Sequence, residues 1–433
     1  MAKGRWAGLR LETAERGQKK WDESSLDDLL GSDHLARQVW DYVEGLDLSV
    51  LYGEVRTTVV SSGRPAIDPA ILLALWLYAT LDGVGSARLL DRLSRSEAAY
   101  RWLCGGVGVN YHTLSDFRTK AGPVLDDLLS KSVAGLIEAG LVDVSTVAVD
   151  GVRVWASAGK HSFRRGERLA ALHEAAVAAV KQLRTEVEED PGSAERRRKA
   201  RRQAVSEDRL RRLEQARAAH AEIEQRRQQE AAEQRRKKKQ NDKPVRASTS
   251  DPQARVMKMG DGSFKPAYNV QIKTAARGAH IIGVSVTDCG SDRGLLGPAL
   301  DEIEQRYGGV ERYDELKPVQ ALADGGYDSR ADIERLHAEN ITLFCPLPNN
   351  TKGDPAAPRR GDGPGTIAWR QRMATVEGQA AYRRRFATER PHAHMRNHGL
   401  RQLLVRGADK VKAVMLWHAH AFNFLQFKRL GWV

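Results

Sequence analysis

Long uninterrupted apolar runs are missing from the 433-residue sequence. The longest charge-free apolar stretch, Pro69–Leu81, is bounded by Asp68 and Asp82. It is shorter than the ~20 residues a membrane-spanning helix needs, so it reads as a buried helix and no membrane role is expected. The opening residues, MAKGRWAGLRLETAERGQKK, carry no apolar signal core, and a cytoplasmic location is expected. Cysteine is scarce. Cys104, Cys289 and Cys345 are widely scattered and form neither a metal-type pair nor an even-numbered framework, which argues against a zinc module and a disulfide scaffold. What the chain has in quantity is charge: 69 Lys+Arg against 56 Asp+Glu, a formal net charge of +13. With a pI of about 9.7, nucleic acid is the first partner to consider. Hydrophobic residues at 41% place the chain among globular proteins, and its length predicts two or three domains.

The basic excess is concentrated. Residues 196–239 hold 17 Lys/Arg and 7 Asp/Glu, most of the net charge in a tenth of the chain. This segment is rich in Ala, Glu, Gln and Arg, all good helix formers, with a thin apolar seam of Leu210, Leu213 and Ile223. An upstream helical segment at 167–188 carries Leu169, Leu172, Ala176, Val180 and Leu183, and Pro191-Gly192 separates the two. The pattern predicts a long helical hairpin, at 160–250, with a basic outer arm. It serves either as a solvated charged helix or as an arm that contacts phosphates through Arg197, Arg201, Arg236, Lys238 and their neighbours.

The first 140 residues read as helical, through Pro69–Leu81, a helix carrying Leu89, Leu90 and Leu93, and another carrying Tyr100, Trp102 and Leu103. Thr113 and Asp116 have capping-box spacing and would open a further helix. Short helices joined by tight turns fit a helix-turn-helix arrangement or a plain bundle equally well. After Gly140 the pattern changes to β-branched runs: 142–149, then 267–273 and 280–287, then 318–323 and 341–346, with helices between them. That order indicates an α/β sheet with at least one crossover. Residues 349–365 read as a loop, and most of 376–427 as helix with a break near Gly399.

Two aspartates stand at the ends of such runs, Asp150 and Asp324. Carboxylates at the mouths of neighbouring strands can converge outside a sheet, where ligands bind, and hard oxygen donors suit Mg²⁺ or Mn²⁺. Taken singly, Asp150-Gly151 also fits a hairpin turn and Asp324-Gly325-Gly326 a loop start. A third carboxylate is needed, and Glu389 is the candidate. On a helix Arg385 lies about 60° and Glu389 about 20° from Tyr382, so the three share a face; Arg396 falls on the same side, with Pro391 expected to bend the helix between them. The same spacing also fits an ordinary surface pair of Arg385 with Glu389.

The spacing Tyr382-x2-Arg385-x3-Glu389-x6-Arg396 resembles the Tyr-Arg-Glu-Lys signature of bacterial insertion-sequence DDE transposases, with Arg396 where that pattern has Lys. Other blocks resemble the family in order along the chain. These are Gly63-Arg64-Pro65 to Leu81, Tyr100-Arg101-Trp102-Leu103-Cys104-Gly105-Gly106 and His112-Thr113-Leu114-Ser115-Asp116-Phe117-Arg118, then Val149-Asp150-Gly151, Lys265-Pro266-Ala267-Tyr268-Asn269-Val270-Gln271, Ala323-Asp324-Gly325-Gly326-Tyr327 and residues 389–407. The resemblance implies an α/β fold with an RNase H-like catalytic domain at 141–433, interrupted by the basic hairpin and preceded by an all-α domain at 1–140 of DNA-binding type. It implies catalytic, metal-holding Asp150, Asp324 and Glu389, with Mg²⁺ (Mn²⁺ as an alternative). Tyr382, Arg385 and Arg396 would orient phosphates. The expected partners are double-stranded DNA, as terminal inverted repeats and target site, and a second copy of the chain; the expected location is the bacterial cytoplasm, on the nucleoid. A relative that binds DNA without cutting it is the alternative. A coiled-coil scaffold would need a longer heptad seam. His392, His394, His398, His418 and His420 cluster near the C-terminus, but their spacing matches no zinc pattern.

Overall fold

A computed structural model describes residues 25–55, 65–189, 193–233, 244–348 and 354–431. Seven helices come first: α1 (Leu35–Glu44), α2 (Ser49–Gly53), α3 (Pro69–Leu81), α4 (Ala87–Ser96), α5 (Ala98–Cys104), α6 (Tyr111–Lys120) and α7 (Gly122–Glu138). The Asp68 carboxylate accepts the Ala70 N–H at 2.8 Å to start α3, and Pro69 occupies its first turn, where a missing N–H costs nothing. Every α3 residue except Tyr78 is buried. A helix apolar all round must be a central one, and α3 packs against α1, α5, α6 and the C-terminal helix. α6 starts three residues earlier than the Thr113–Asp116 spacing suggests. The Asn110 side chain accepts from the His112 and Thr113 N–H groups at 3.1 and 3.0 Å, and its amide donates to the Thr113 hydroxyl. Asn is at least as strong a cap as Thr, so it takes the position.

The sheet follows: β1 (Asp143–Trp155), β2 (Phe163–Arg164), α8 (Gly166–Glu189), α9 (Ser193–Glu233), β3 (Ala247–Ser248), β4 (Arg255–Lys258), β5 (Phe264–Arg277), β6 (Ile281–Thr287), α10 (Leu296–Tyr307), α11 (Tyr313–Leu316), β7 (Gln320–Ala323), α12 (Arg330–Ala338) and β8 (Thr342–Phe344). β5 pairs antiparallel with β1 along one edge and with β4 and β6 along the other. β1 then pairs parallel with β7, and β7 with β8. The order β6-β5-β1-β7-β8 is antiparallel on one half and parallel on the other, with α10 and α12 in the connections to the parallel strands. β1 runs straight through Asp150-Gly151, which pair with Ile272 and Gln271, so the hairpin-turn reading does not hold.

Four helices end the described chain: α13 (Pro364–Ala374), α14 (Val376–Arg383), α15 (Phe386–Asn397) and α16 (Ala408–Arg429). α16 joins the two halves. The Trp417 indole donates to the Arg118 carbonyl (3.1 Å), His420 Nε2–H donates to the Leu125 carbonyl (2.8 Å), and the Asn423 amide bonds both backbone groups of Ile281 on β6 (2.9 and 2.8 Å). One apolar core therefore runs unbroken from α1 through the sheet to α16, while the α8–α9 hairpin has its own small cluster around Leu169, Leu213 and Ala216.

A chain of charges also crosses this seam. Lys273 on β5 is fully buried and bonds Glu302 on α10; Glu302 pairs with Arg306 (2.9 Å), Arg306 with Asp126 on α7 (2.6 Å), and Asp126 with Lys412 on α16 (2.6 Å). Burial drives the Lys273 pKa down, and Glu302 opposes that shift. Removing Glu302 would strand a buried ammonium, a loss of about 3 kcal/mol. Glu302→Gln is expected to lower the free energy of unfolding in urea by that amount, and Lys273→Met in the same chain to restore most of it.

Burial also holds His280 at a pKa of about 4 and His418 at about 3, so both are neutral at pH 7. The unfolded chain takes up these protons near pH 6.5. Stability is therefore complete above about pH 6.5 and is lost as the pH falls from there toward the folded values. Urea unfolding at pH 5.5 should show a loss of about 1 kcal/mol per histidine relative to pH 7.5, and His280→Phe should remove its share of that slope.

Candidate active site

The register of β1 against β7 sets the centre of the site. Val149 pairs with Ala323, so the next residues on these parallel strands, Asp150 and Asp324, stand side by side. β7 ends there, and the Asp324 carboxylate accepts the Gly326 N–H at 2.7 Å, turning the chain away. Burial raises the Asp324 pKa, and the like charges of Asp150 and Asp292 add to it, against the Gly326 N–H and the Arg385 charge. Two carboxylates so placed repel and attract a cation.

α15 and the turn before it supply positive charge. The Arg385 guanidinium donates to Asp150 Oδ2 at 2.8 Å and to the Tyr382 hydroxyl at 3.1 Å. The Thr388 hydroxyl lies 3.4 Å and His392 Nδ1 3.6 Å from the same Asp150 oxygen. Burial works against the Arg385 charge, but Asp150 outweighs it and raises the pKa; burial lowers that of His392, which Asp150 opposes. Arg385, Thr388 and His392 thus define the face of α15 that meets the sheet. Glu389 lies on the flank of that face and is exposed, about 40° round the helix from Arg385. Arg385 bonds Asp150 instead of forming the i,i+4 pair with Glu389. The structure brings Asp150 and Asp324 together and leaves Glu389 to one side: among the described residues no three acidic, histidine or cysteine side chains converge tightly enough to hold a metal ion. Two adjacent carboxylates with a guanidinium on one of them fit a divalent cation in donor type and charge, with Arg385 standing where positive charge is required.

Pro391 lies inside α15 without ending it. Beyond it, Arg396 donates to the His392 carbonyl (3.2 Å) and lines a groove of about 500 Å³ together with Arg153, Trp155, Lys265, His392 and Arg401. This groove, basic and carrying one aromatic ring, opens beside Asp150. Of the remaining histidines, His420 is used in the α16 seam and the His394 and His398 rings stack at 4.1 Å.

The opposite face of β1 holds a group that residue spacing did not single out. Asp292 accepts from Asn269 (2.7 Å), Gln271 (3.0 Å) and Arg153 (3.1 Å), and Tyr327 donates to Gln271. The signal was present in the sequence: Asn269 and Gln271 alternate with apolar residues on β5, so two amides share one buried face. Asp292 itself follows a Cys-Gly-Ser turn and had no signal. Gly151 makes room for this network, since a Cβ there would lie 2.4 Å from the Asp292 carboxylate and 2.7 Å from the Gln271 amide.

The basic arm is α9, which at 41 residues is about 60 Å long. Arg201 on it is exposed. Arg197 lies in α9, its side chain outside the described residues, and Arg236 and Lys238 lie outside them altogether. Part of the arm is neutralised internally: Arg184 of α8 pairs with Glu207, and Arg226 pairs with Glu222 and Asp288.

Gly151→Ala should cost about 2 kcal/mol in denaturant unfolding, because the added methyl must push Asp292 out of its hydrogen bonds. A variant as stable as the parent would show that the network yields freely.

A transposase domain family matches residues 24–120, and a transposase DDE domain family matches residues 237–424. Together they span about two thirds of the chain; the second takes in Asp324 and Glu389, while Asp150 falls between the two. No curated protein and no solved structure matches. A helical N-terminal half and a mixed sheet half, each matched by a transposase family in the same chain, lead to one assignment: this chain belongs to the insertion-sequence DDE transposases, enzymes of the polynucleotidyl transferase type.

Proposed function

We propose that this transposase cuts the ends of its element and joins them to target DNA at the Asp150–Asp324 pair, with Glu389 as the third carboxylate. The observation that carries the reading is the adjacency of Asp150 and Asp324 on β1 and β7. The strand order, with an acidic residue on the central strand and another at the end of its parallel neighbour, supports an RNase H-like catalytic domain. In that reading 1–140 is the DNA-binding-type helical domain, and the α8–α9 hairpin is an insertion between the first two strands of the catalytic sheet.

Asp150, Asp324 and Glu389 would hold two divalent ions, Mg²⁺ or Mn²⁺, which when bound activate the attacking oxygen and stabilise the leaving one. In the first step a water oxygen attacks phosphorus, the bond to the 3′ oxygen breaks, and a 3′-hydroxyl is freed. In the second, that hydroxyl attacks a target phosphodiester, and a target 3′ oxygen leaves. The residues of the chain do the positioning. Arg385 exchanges its bond to Asp150 for a phosphate oxygen, as a guanidinium fork suits both. Tyr382 orients Arg385 through their hydrogen bond. Arg396 and the groove beside Asp150 hold the strand on one side of the scissile phosphate. The exposed residues of α9, Arg201 among them, contact the DNA backbone without reading its sequence. Joining two ends in one event calls for two copies of the chain, each on a terminal inverted repeat. The workplace is the bacterial cytoplasm, on the nucleoid.

Nicking of a supercoiled plasmid in Mg²⁺ tests the reading. Asp150→Ala, Asp324→Ala and Glu389→Ala should each reduce cleavage by at least ~10³-fold while leaving DNA affinity within a few fold. Full cleavage by Glu389→Ala would remove the third carboxylate from the mechanism. DNA binding by the parent chain with no cutting in either metal would mark a DNA-binding relative instead.

A further inference from the structure

A second cavity, of about 290 Å³, lies on the seam between the helical half and the loop that follows α15. Its walls include Gly85 and Ser86 before α4, Arg118 on α6, Arg401 and Leu404 in the loop, and His418 on α16. Gly399 closes the seam: it sits at φ +85°, and a Cβ there would lie 2.7 Å from the Gly83 carbonyl. No acidic side chain lines the cavity.

Arg118 is the unusual wall. Its guanidinium donates to the Gly85 carbonyl and lies over the Trp76 ring at 4.9 Å, but its Nε has no partner, and among the described residues no carboxylate pairs with it. Burial is deep enough to pull its pKa down to about 10. A half-buried cation with no counter-charge is costly, and such a group is normally paired. Beside it the buried His418 Nδ1 is also without a partner. A neutral imidazole can donate from that nitrogen. An unsatisfied Arg118 donor and an unpartnered His418 ring nitrogen therefore border a cavity that offers them no anion of the protein's own. Arg401 lines both this cavity and the basic groove beside Asp150, so a polyanion lying in the groove passes its mouth.

We infer that this cavity is an anion seat that takes a phosphate group, either a free monoester or inorganic phosphate, or a diester of a nucleic-acid backbone. The guanidinium fork suits a phosphate's oxygens, and the volume is at the small end for a ligand pocket. The inference does not depend on which carboxylates are catalytic. An anion here would lock α4, α6, α16 and the loop behind α15 together, joining the two halves of the chain.

Thermal unfolding of the full chain, with inorganic phosphate replacing chloride at constant ionic strength, tests the seat. Two variants accompany the parent: Arg118→Met, and Leu404→Trp, which fills the mouth from a position 62% exposed and keeps the test alive should the first variant fail to fold. The parent should gain about 2 °C more than either variant. General exclusion of phosphate from protein surfaces acts on all three alike. Binding of a labelled duplex identifies the source. Affinity about threefold weaker in both variants, with a salt slope lower by about one, assigns a backbone diester. Unchanged DNA affinity with a lost phosphate response assigns the free anion. An equal phosphate response in all three proteins, or none in any, together with unchanged DNA affinity, overturns the seat.

Discussion

Two carboxylates forced side by side are the constraint around which the sheet half is arranged. The parallel register of β1 and β7 leaves Asp150 and Asp324 no freedom to separate, and their mutual repulsion, added to burial, raises the Asp324 pKa. A fold can tolerate that only by bringing positive charge to the same place. Arg385 is that charge, and it is held from two sides, by Asp150 and by the Tyr382 hydroxyl. The geometry explains why an arginine belongs at this point of the chain: a lysine could neutralise one carboxylate but could not bond Asp150 through one nitrogen and Tyr382 through another in a fixed plane.

The opposite face of β1 meets the same demand with two amides and a second guanidinium. Asp292 is satisfied by Asn269, Gln271 and Arg153, and Tyr327 closes the network. These groups stand behind the strand that carries Asp150, so the backbone there is clamped between an ion pair on one side and an amide cluster on the other. Gly151 is the consequence, since nothing larger fits between the strand and Asp292. The Asp-Gly pair that reads as a turn is in fact mid-strand, with the glycine kept by crowding rather than by a positive φ.

Much of this was legible in the sequence because it rests on local pattern. The apolar run of α3 between two aspartates, the β-branched runs around Asp150 and before Asp324, and the Ala- and Arg-rich hairpin each carry their own period. The helical spacing of Tyr382 and Arg385 also held, although α14 and α15 meet between them. What was not legible depends on contacts far apart in the chain. Asn110 caps α6 one turn ahead of Thr113, accepting the Thr113 N–H itself, and spacing cannot rank the two caps. Asp292 reaches its amides across a strand connection, and Lys273 reads as one polar residue in an apolar strand until Glu302 is placed against it. Whether Glu389 joins the two aspartates was also beyond periodicity. A helical wheel puts it near Arg385, but the face that docks is centred on Arg385 and His392, and Glu389 falls on its flank.

That offset of Glu389 goes with the contact that Arg385 makes with the sheet. With Arg385 bonded to Asp150, the helix presents a cation to the sheet, and a third carboxylate on the same line would restore the repulsion that Arg385 removes. Arg385 holds that place, and Glu389 stands on the exposed flank beside it. The other end of α15 is anchored as well. α15 is followed directly by the loop whose Gly399 is wedged against Gly83, and α16 beyond that loop is bonded to α6, α7 and β6. The far end of α15 is therefore anchored to the helical half while the turn before its near end brings Arg385 to Asp150, so α15 joins α16 in linking the two halves of the chain.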